Sequence, residues 1–175
     1  MKRVTKALMA VLLLTGHLSG CGKPAQADDR GLLSCYVLGD SIAVGTAQQL
    51  PWCWSNTHIG LNTQQALRRF TQVPRADVTV ISLGINDRGT RLPTEQNLAI
   101  LRARLHSPRV IWILPPDAAK SAQILVVAGT YHDRVIDLNA PRFERYLSHV
   151  DHIHPNGTGY ALVAHQARAL AFEGR

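Results

Sequence analysis

Three short stretches hold side chains whose types and spacing could do chemistry. The first, Gly39-Asp40-Ser41-Ile42-Ala43-Val44-Gly45, ends one apolar run and opens another of different period. A serine at such a strand-to-helix turn presents its hydroxyl where free N–H groups and the helix dipole favour negative charge. Taken alone, Asp-Ser at that place is equally a helix cap. The second stretch is Gly84-Ile85-Asn86-Asp87, directly after a strongly apolar run. Asn86 offers a side-chain N–H that could face a developing oxyanion, although Gly, Asn and Asp also make plain turns. The third, Asp151-His152-Ile153-His154-Pro155-Asn156, sets a carboxylate three residues ahead of an imidazole. One turn could join Asp151 to a ring nitrogen of His154 and leave the other nitrogen facing a serine. Together the stretches supply a nucleophile, a base with its carboxylate, and an oxyanion donor, the parts that acyl transfer needs.

Those residues need elements to hold them. Short apolar runs alternate with amphipathic stretches, and 33–39, 54–60, 78–83, 110–114 and 135–138 are the candidate strands. Val78-Thr79-Val80-Ile81 and Val110-Ile111-Trp112-Ile113-Leu114 are apolar on both faces, as parallel strands covered by helices on each side must be. Between them, 41–50, 63–73, 94–106, 121–129 and 157–172 read as helices. Leu67 and Phe70 fall on one face of the second, Leu98, Leu101 and Leu105 on one face of the third, and Val163, Ala167 and Leu170 on one face of the last. Five strand–helix repeats imply a three-layer α/β/α sandwich with right-handed crossovers. In such sheets ligands bind beyond the carboxyl ends of the strands, where all three stretches lie.

In these residues the chain resembles the SGNH/GDSL hydrolase family. GDSIAVG is similar to the nucleophile block, GIND to the G-x-N-D block and DHIHPNGTGY to the D-x-x-H-P block, in order over residues 37–160. Gly60, in His58-Ile59-Gly60-Leu61-Asn62, is the match for the glycine of the family's second block. The resemblance implies a flavodoxin-like five-stranded parallel sheet of order 2-1-3-4-5. It also implies Ser41 as nucleophile, His154 as general base and Asp151 as the residue that orients it. The oxyanion hole would be the backbone N–H groups of Ser41 and Gly60 with the side-chain amide of Asn86, and Asp40 and Asp87 would brace loops. His152 is a second imidazole nearby; the spacing from Asp151 and the following proline assign the role to His154. No metal or cofactor is implied, and His106, His132 and His149 read as surface residues.

The first twenty residues stand apart. Lys2, Arg3 and Lys6 precede a mostly apolar run from Ala7 to Leu18, the pattern of a secretory leader. The run is too short to cross a hydrocarbon core of about 30 Å. Leu18-Ser19-Gly20-Cys21 resembles a bacterial lipobox, which implies a lipid on Cys21, a polar tether over 22–31 and a hydrolase domain over 32–175. Gly22 after the lipidated residue implies the outer membrane in a Gram-negative cell. Loss of the leader takes the formal charge from +7 to +4, and no basic stripe is visible, so nucleic acid is not an expected partner. Export would leave Cys35 and Cys53 in an oxidising compartment, at the starts of neighbouring strands, where a disulfide is expected.

The expected partner is an ester substrate. The loops after the strands are short and lack bulky apolar runs, which favours a small acyl group, acetyl on an envelope glycan above all. A lysophospholipase or thioesterase, or an idle binding module of the same fold, are the alternatives.

Overall fold

The computed structural model describes residues 33–88, 90 and 92–173. The leader, Cys21 and the tether through residue 31 lie outside the described residues. The elements run β1 (Cys35–Gly39), α1 (Ser41–Gln48), β2 (Trp54–Thr57), α2 (Thr63–Arg69), β3 (Val78–Ser82), α3 (Thr94–Ala103), β4 (Arg109–Leu114), α4 (Ala118–Thr130), β5 (Arg134–Asp137), α5 (Pro141–Glu144) and α6 (Gly157–Phe172). The five strands form one parallel sheet of order β2-β1-β3-β4-β5. This is the order that the motifs implied.

Alternation along the strands divides the core into two halves, because successive side chains point to opposite faces. Tyr36, Leu38, Ile81, Val110, Trp112 and Leu114 face α2, α3 and α4, where they meet Ala66, Leu98, Leu101, Ile124 and Val127. Val37, Val78, Val80, Ile111 and Ile113 face the other way, onto Ile42 of α1, Phe143 of α5 and Val163 and Ala167 of α6. Every residue of β1 and β3 is buried. The edge strands β2 and β5 are partly exposed, as edges of a covered sheet are.

Element ends differ from the sequence expectation for local reasons. The strand expected over 54–60 stops at Thr57, because the chain turns at Gly60, whose φ is +73°. The helix expected over 63–73 ends at Arg69, and the one over 94–106 ends at Ala103. α4 begins three residues before the expected 121, since the Asp117 side chain accepts from Lys120 N at 2.9 Å and caps it. Four residues of helix at Pro141–Glu144, opened by proline, were not expected at all. Cys35 and Cys53 are joined by a disulfide. It pins the start of β1 to the residue before β2, consistent with the register that sets Tyr36 opposite Trp54.

Candidate active site

The three motif stretches meet at the carboxyl edge of the sheet. Gly39, the last residue of β1, has φ +140°, and a Cβ built on it would lie 1.9 Å from the Ser82 carbonyl oxygen. Only glycine can occupy that place. Asp40 follows, wholly buried, and caps α1: its Oδ1 accepts from Ile42 N at 3.0 Å and from Ser82 Oγ at 2.9 Å. The backbone repeats the link, with Asp40 N donating to Ser82 O at 2.9 Å. Ser41 is therefore held as the first residue of α1, where a backbone N–H has no intrahelical acceptor.

Burial pushes the Asp40 carboxyl up to about 7, against the pull of its hydrogen bonds and of the nearby His154. Its Oδ2 is buried without a hydrogen-bond partner among the described residues.

His154 reaches this turn from the far end of the chain. Its Nε2 lies 2.7 Å from Ser41 Oγ, and its Nδ1 lies 2.7 Å from Asp151 Oδ2. Asp151 Oδ1 also accepts from the backbone N–H groups of Ile153 at 2.9 Å and His154 at 3.1 Å. The His154 bond and these two amides hold the Asp151 carboxyl well below the usual carboxylate range, so it is ionised and can only accept. Nδ1 must then carry the proton, which leaves Nε2 as the acceptor for the Ser41 hydroxyl. His152 lies between them with φ 53°, exposed, and makes neither contact.

The remaining expected donors flank Ser41. β2 and β3 are the two neighbours of β1, so the turns that follow them stand on either side of the serine. Gly60 lies in the first, exposed; a Cβ there would meet nothing within 4 Å, so its positive φ rather than crowding calls for glycine. Asn86 lies in the second, and its Nδ2 donates to Leu61 O at 3.2 Å, tying the two turns together. The next residue, Asp87, is buried and braces this arrangement. It accepts from Thr63 N at 2.7 Å, from Thr63 Oγ1, and from Thr94 Oγ1 at 2.7 Å, while Lys120 Nζ donates to its carbonyl at 2.7 Å.

Two residues that the motif reading left without a role also shape the site. Tyr160, on the first turn of α6, presses its ring on Gly45 so closely that a Cβ there would sit 2.2 Å from it. Burial, with Asp40 and Asp151 nearby, pushes the Tyr160 phenol up to about 12, so it stays neutral. The final Asn156-Gly-Thr-Gly-Tyr run was the available signal for this contact. Ser148 donates from its backbone to His154 O at 2.7 Å and closes the turn that carries Asp151; nothing in its sequence neighbourhood marks it. Among the described residues no group of three or more His, Cys, Asp or Glu side chains is placed to hold a metal ion. His106, His132 and His149 are exposed.

No family model matches the chain, and no curated protein does either. Solved structures do. A provisionally assigned acylhydrolase from Bacteroides fragilis superposes with a TM-score of 0.58 at 20% identity, over 78% of this chain and 86% of that one. A provisionally assigned lipase from Chitinophaga pinensis gives 0.57 at 14% identity, over 80% and 96%. The catalytic domain of Streptococcus pneumoniae peptidoglycan O-acetyltransferase A, solved as a methylsulfonyl adduct, gives 0.54 at 18% identity, over 80% and 92%. The chain thus shares the fold of these three structures, and the sequence blocks that resemble the SGNH/GDSL family converge at the carboxyl edge of its sheet.

Proposed function

We propose that this protein is a serine esterase that removes short acyl groups, acetyl above all, from glycans of the cell envelope. One observation carries the reading: the unbroken chain from Ser41 Oγ through His154 to the ionised Asp151, with both links at 2.7 Å. His154 Nε2 takes the Ser41 proton as Oγ attacks the ester carbonyl. The oxyanion is met by the N–H groups of Ser41 and Gly60 and by the Asn86 amide. The imidazolium, stabilised by Asp151, returns its proton to the leaving alcohol; water activated by the same nitrogen then clears the acyl-enzyme.

The surroundings support a short acyl group. Ile59 and Val150, on the turns beside Gly60 and Asp151, are 82% and 94% exposed. Largely in solvent, they offer little apolar shelter, and each methylene of a longer chain would need about 0.8 kcal/mol of it to aid binding. One structural neighbour being a peptidoglycan O-acetyltransferase supports acetyl and a glycan as the chemistry of this fold. The basic, apolar leader and Leu-Ser-Gly-Cys support a lipid on Cys21 and a place on an envelope membrane.

The test is labelling of Ser41 by a fluorophosphonate, followed by p-nitrophenyl esters of two to twelve carbons beside acetylated peptidoglycan and xylan. Labelling with a maximum at short chains, and acetate released from a polymer, is expected. A maximum at eight carbons or longer with no acetate released would replace the glycan reading with a lipid one. For the anchor, Cys21→Ala should leave the membrane fraction and retain esterase activity; labelled fatty acid on the variant would count against it.

A further inference from the structure

A cleft of about 490 Å³ opens directly beyond the Gly60 turn, and His58, Ile59, Gly60, Leu61, Arg68 and Arg69 are among its walls. It adjoins the site described above at one residue. Gly60 lines it, and the Leu61 carbonyl is the acceptor of the Asn86 amide. Its charge is one-sided: among the described residues two guanidinium groups line it and no carboxylate does. Among the described residues neither Arg68 nor Arg69 takes part in an ion pair.

Arginines in the last turn of a helix ordinarily serve its carbonyls and its dipole. Here another residue meets the carbonyls. Arg104 Nη1 donates to Leu67 O at 2.6 Å and to Phe70 O at 3.4 Å. Arg69 turns instead to the edge strand β2, donating from Nε to Asn56 Oδ1 at 3.3 Å. His58 Nε2 donates to the same oxygen at 2.9 Å. One asparagine thus anchors both groups to the strand that leads into Gly60. Burial and then the charge of Arg69 lower the His58 pKa, so at neutral pH the charge of the cleft is that of its arginines.

We propose that this cleft is the subsite for a carboxylate on the alcohol side of the ester, which makes the substrate an acetylated acidic glycan. The planar guanidinium fork matches a carboxylate in two hydrogen bonds. The alcohol side follows from the esterase reading, on which this inference rests: an acetyl group has no room for a charge, so the anion belongs to the sugar.

The experiment compares a methyl O-acetyl-glucuronoside with the matching methyl O-acetyl-glucoside. The full chain should turn over the acid with kcat/KM at least tenfold above the neutral sugar at low salt, a ratio that shrinks as ionic strength rises. Arg68→Gln and Arg69→Gln should each bring the ratio toward one. Arg68→Lys, which keeps the charge but not the fork, should keep only part of it. Arg142→Gln, which removes the same charge from α5 beyond the opposite edge strand, should leave it unchanged. A wild-type ratio near one, or a ratio that Arg68→Gln and Arg69→Gln leave intact, overturns the subsite while the esterase stands. Calorimetry on Ser41→Ala separates the two readings. Tighter binding of the glucuronoside, lost with the arginines, in a protein whose parent cleaves neither sugar would keep the subsite and overturn the esterase. Equal binding of both sugars would overturn the subsite.

Discussion

The nucleophile and its base are held by opposite means. Ser41 stands on a turn locked into the core: Gly39 leaves no room for a methyl group, Asp40 is wholly buried, and both its side chain and its N–H bond to Ser82, 42 residues away. His154 and Asp151 stand on a surface turn, their side chains 37% and 38% exposed. That turn is made of bonds that span a few residues: Asp151 to Ile153 and His154, Ser148 to His154, and His152 N to Ser148 O at 2.9 Å. The difference teaches where a change will register. Around Ser41 an alteration costs the fold; around His154 it costs the chemistry.

The largest effect tests the exposed half. Ser41→Ala or His154→Ala should each lower kcat by about 10⁴- to 10⁶-fold, with the double variant no worse than either, since the two act as one unit. His152→Ala should stay within a few-fold of wild type, as its ring touches neither partner. Melting temperatures of the His variants should stay close to that of wild type. A His152→Ala loss equal to that of His154→Ala would break the assignment of the base. The opposite outcome is expected of Gly39→Ala. A Cβ 1.9 Å from a buried carbonyl, at φ +140°, cannot be relieved by a rotamer change. A loss of more than about 4 kcal/mol is expected, seen as failure to accumulate folded protein or a collapsed denaturant midpoint.

Asn86 lies between these extremes, half-buried and tied to Leu61. Asn86→Ala should cost about 10²–10³ in kcat with little change in KM, because an oxyanion donor is needed chiefly in the transition state. A change in KM alone would mean that the amide serves the Leu61 loop and not the reaction. Removing the Cys35–Cys53 disulfide should cost about 3 kcal/mol by chemical unfolding, as expected for a sequence separation of 18 residues. The bridge lies at the amino end of β1, the end remote from Ser41, so kcat should barely move.

The same contrast explains what could be read in the sequence. Asp151-x-x-His154 is a local pattern closed by local bonds, so three residues of sequence carry nearly all of its geometry. The three central strands were legible because burial on both faces writes itself as continuous apolar runs in β1, β3 and β4. Helix ends were less legible, since Phe70 and Val73 are buried by tertiary packing after α2 has stopped, which prolongs its apolar period past Arg69. The bonds from Asp40 to Ser82, and from Asp87 to Thr63 and Thr94, join residues remote in sequence. Residue types alone marked Asp40 as a helix cap, and only the resemblance to a family gave both aspartates a bracing role. The Arg68–Arg69 cleft had no pattern to announce it: its walls come from the Gly60 turn and α2, and charge in a last helical turn ordinarily reads as capping.

The smallest effect is a pH dependence, and it sharpens the contrast between the two carboxylates of the site. Asp151 is held well below the usual range by His154 and two backbone amides, so it contributes no titration near neutrality. Asp40 is displaced the other way, from 3.8 to about 7, because burial outweighs its hydrogen bonds and the pull of His154. Between those two values the folded chain holds a proton on Asp40 that the unfolded chain has released. The unfolded state therefore binds fewer protons, and the linkage relation makes stability fall as pH rises through that window, with no further loss above it. Asp40→Asn has no such proton to lose. Thermal unfolding of both proteins from pH 4.5 to 8.5 should show the variant gaining on wild type as pH rises, with the difference levelling off above 7. A difference that stays flat across the range would mean that Asp40 ionises in the fold as readily as in the unfolded chain. The unpartnered Oδ2 would then carry a full charge, and the nucleophile turn would be held by a buried carboxylate instead of a neutral acid.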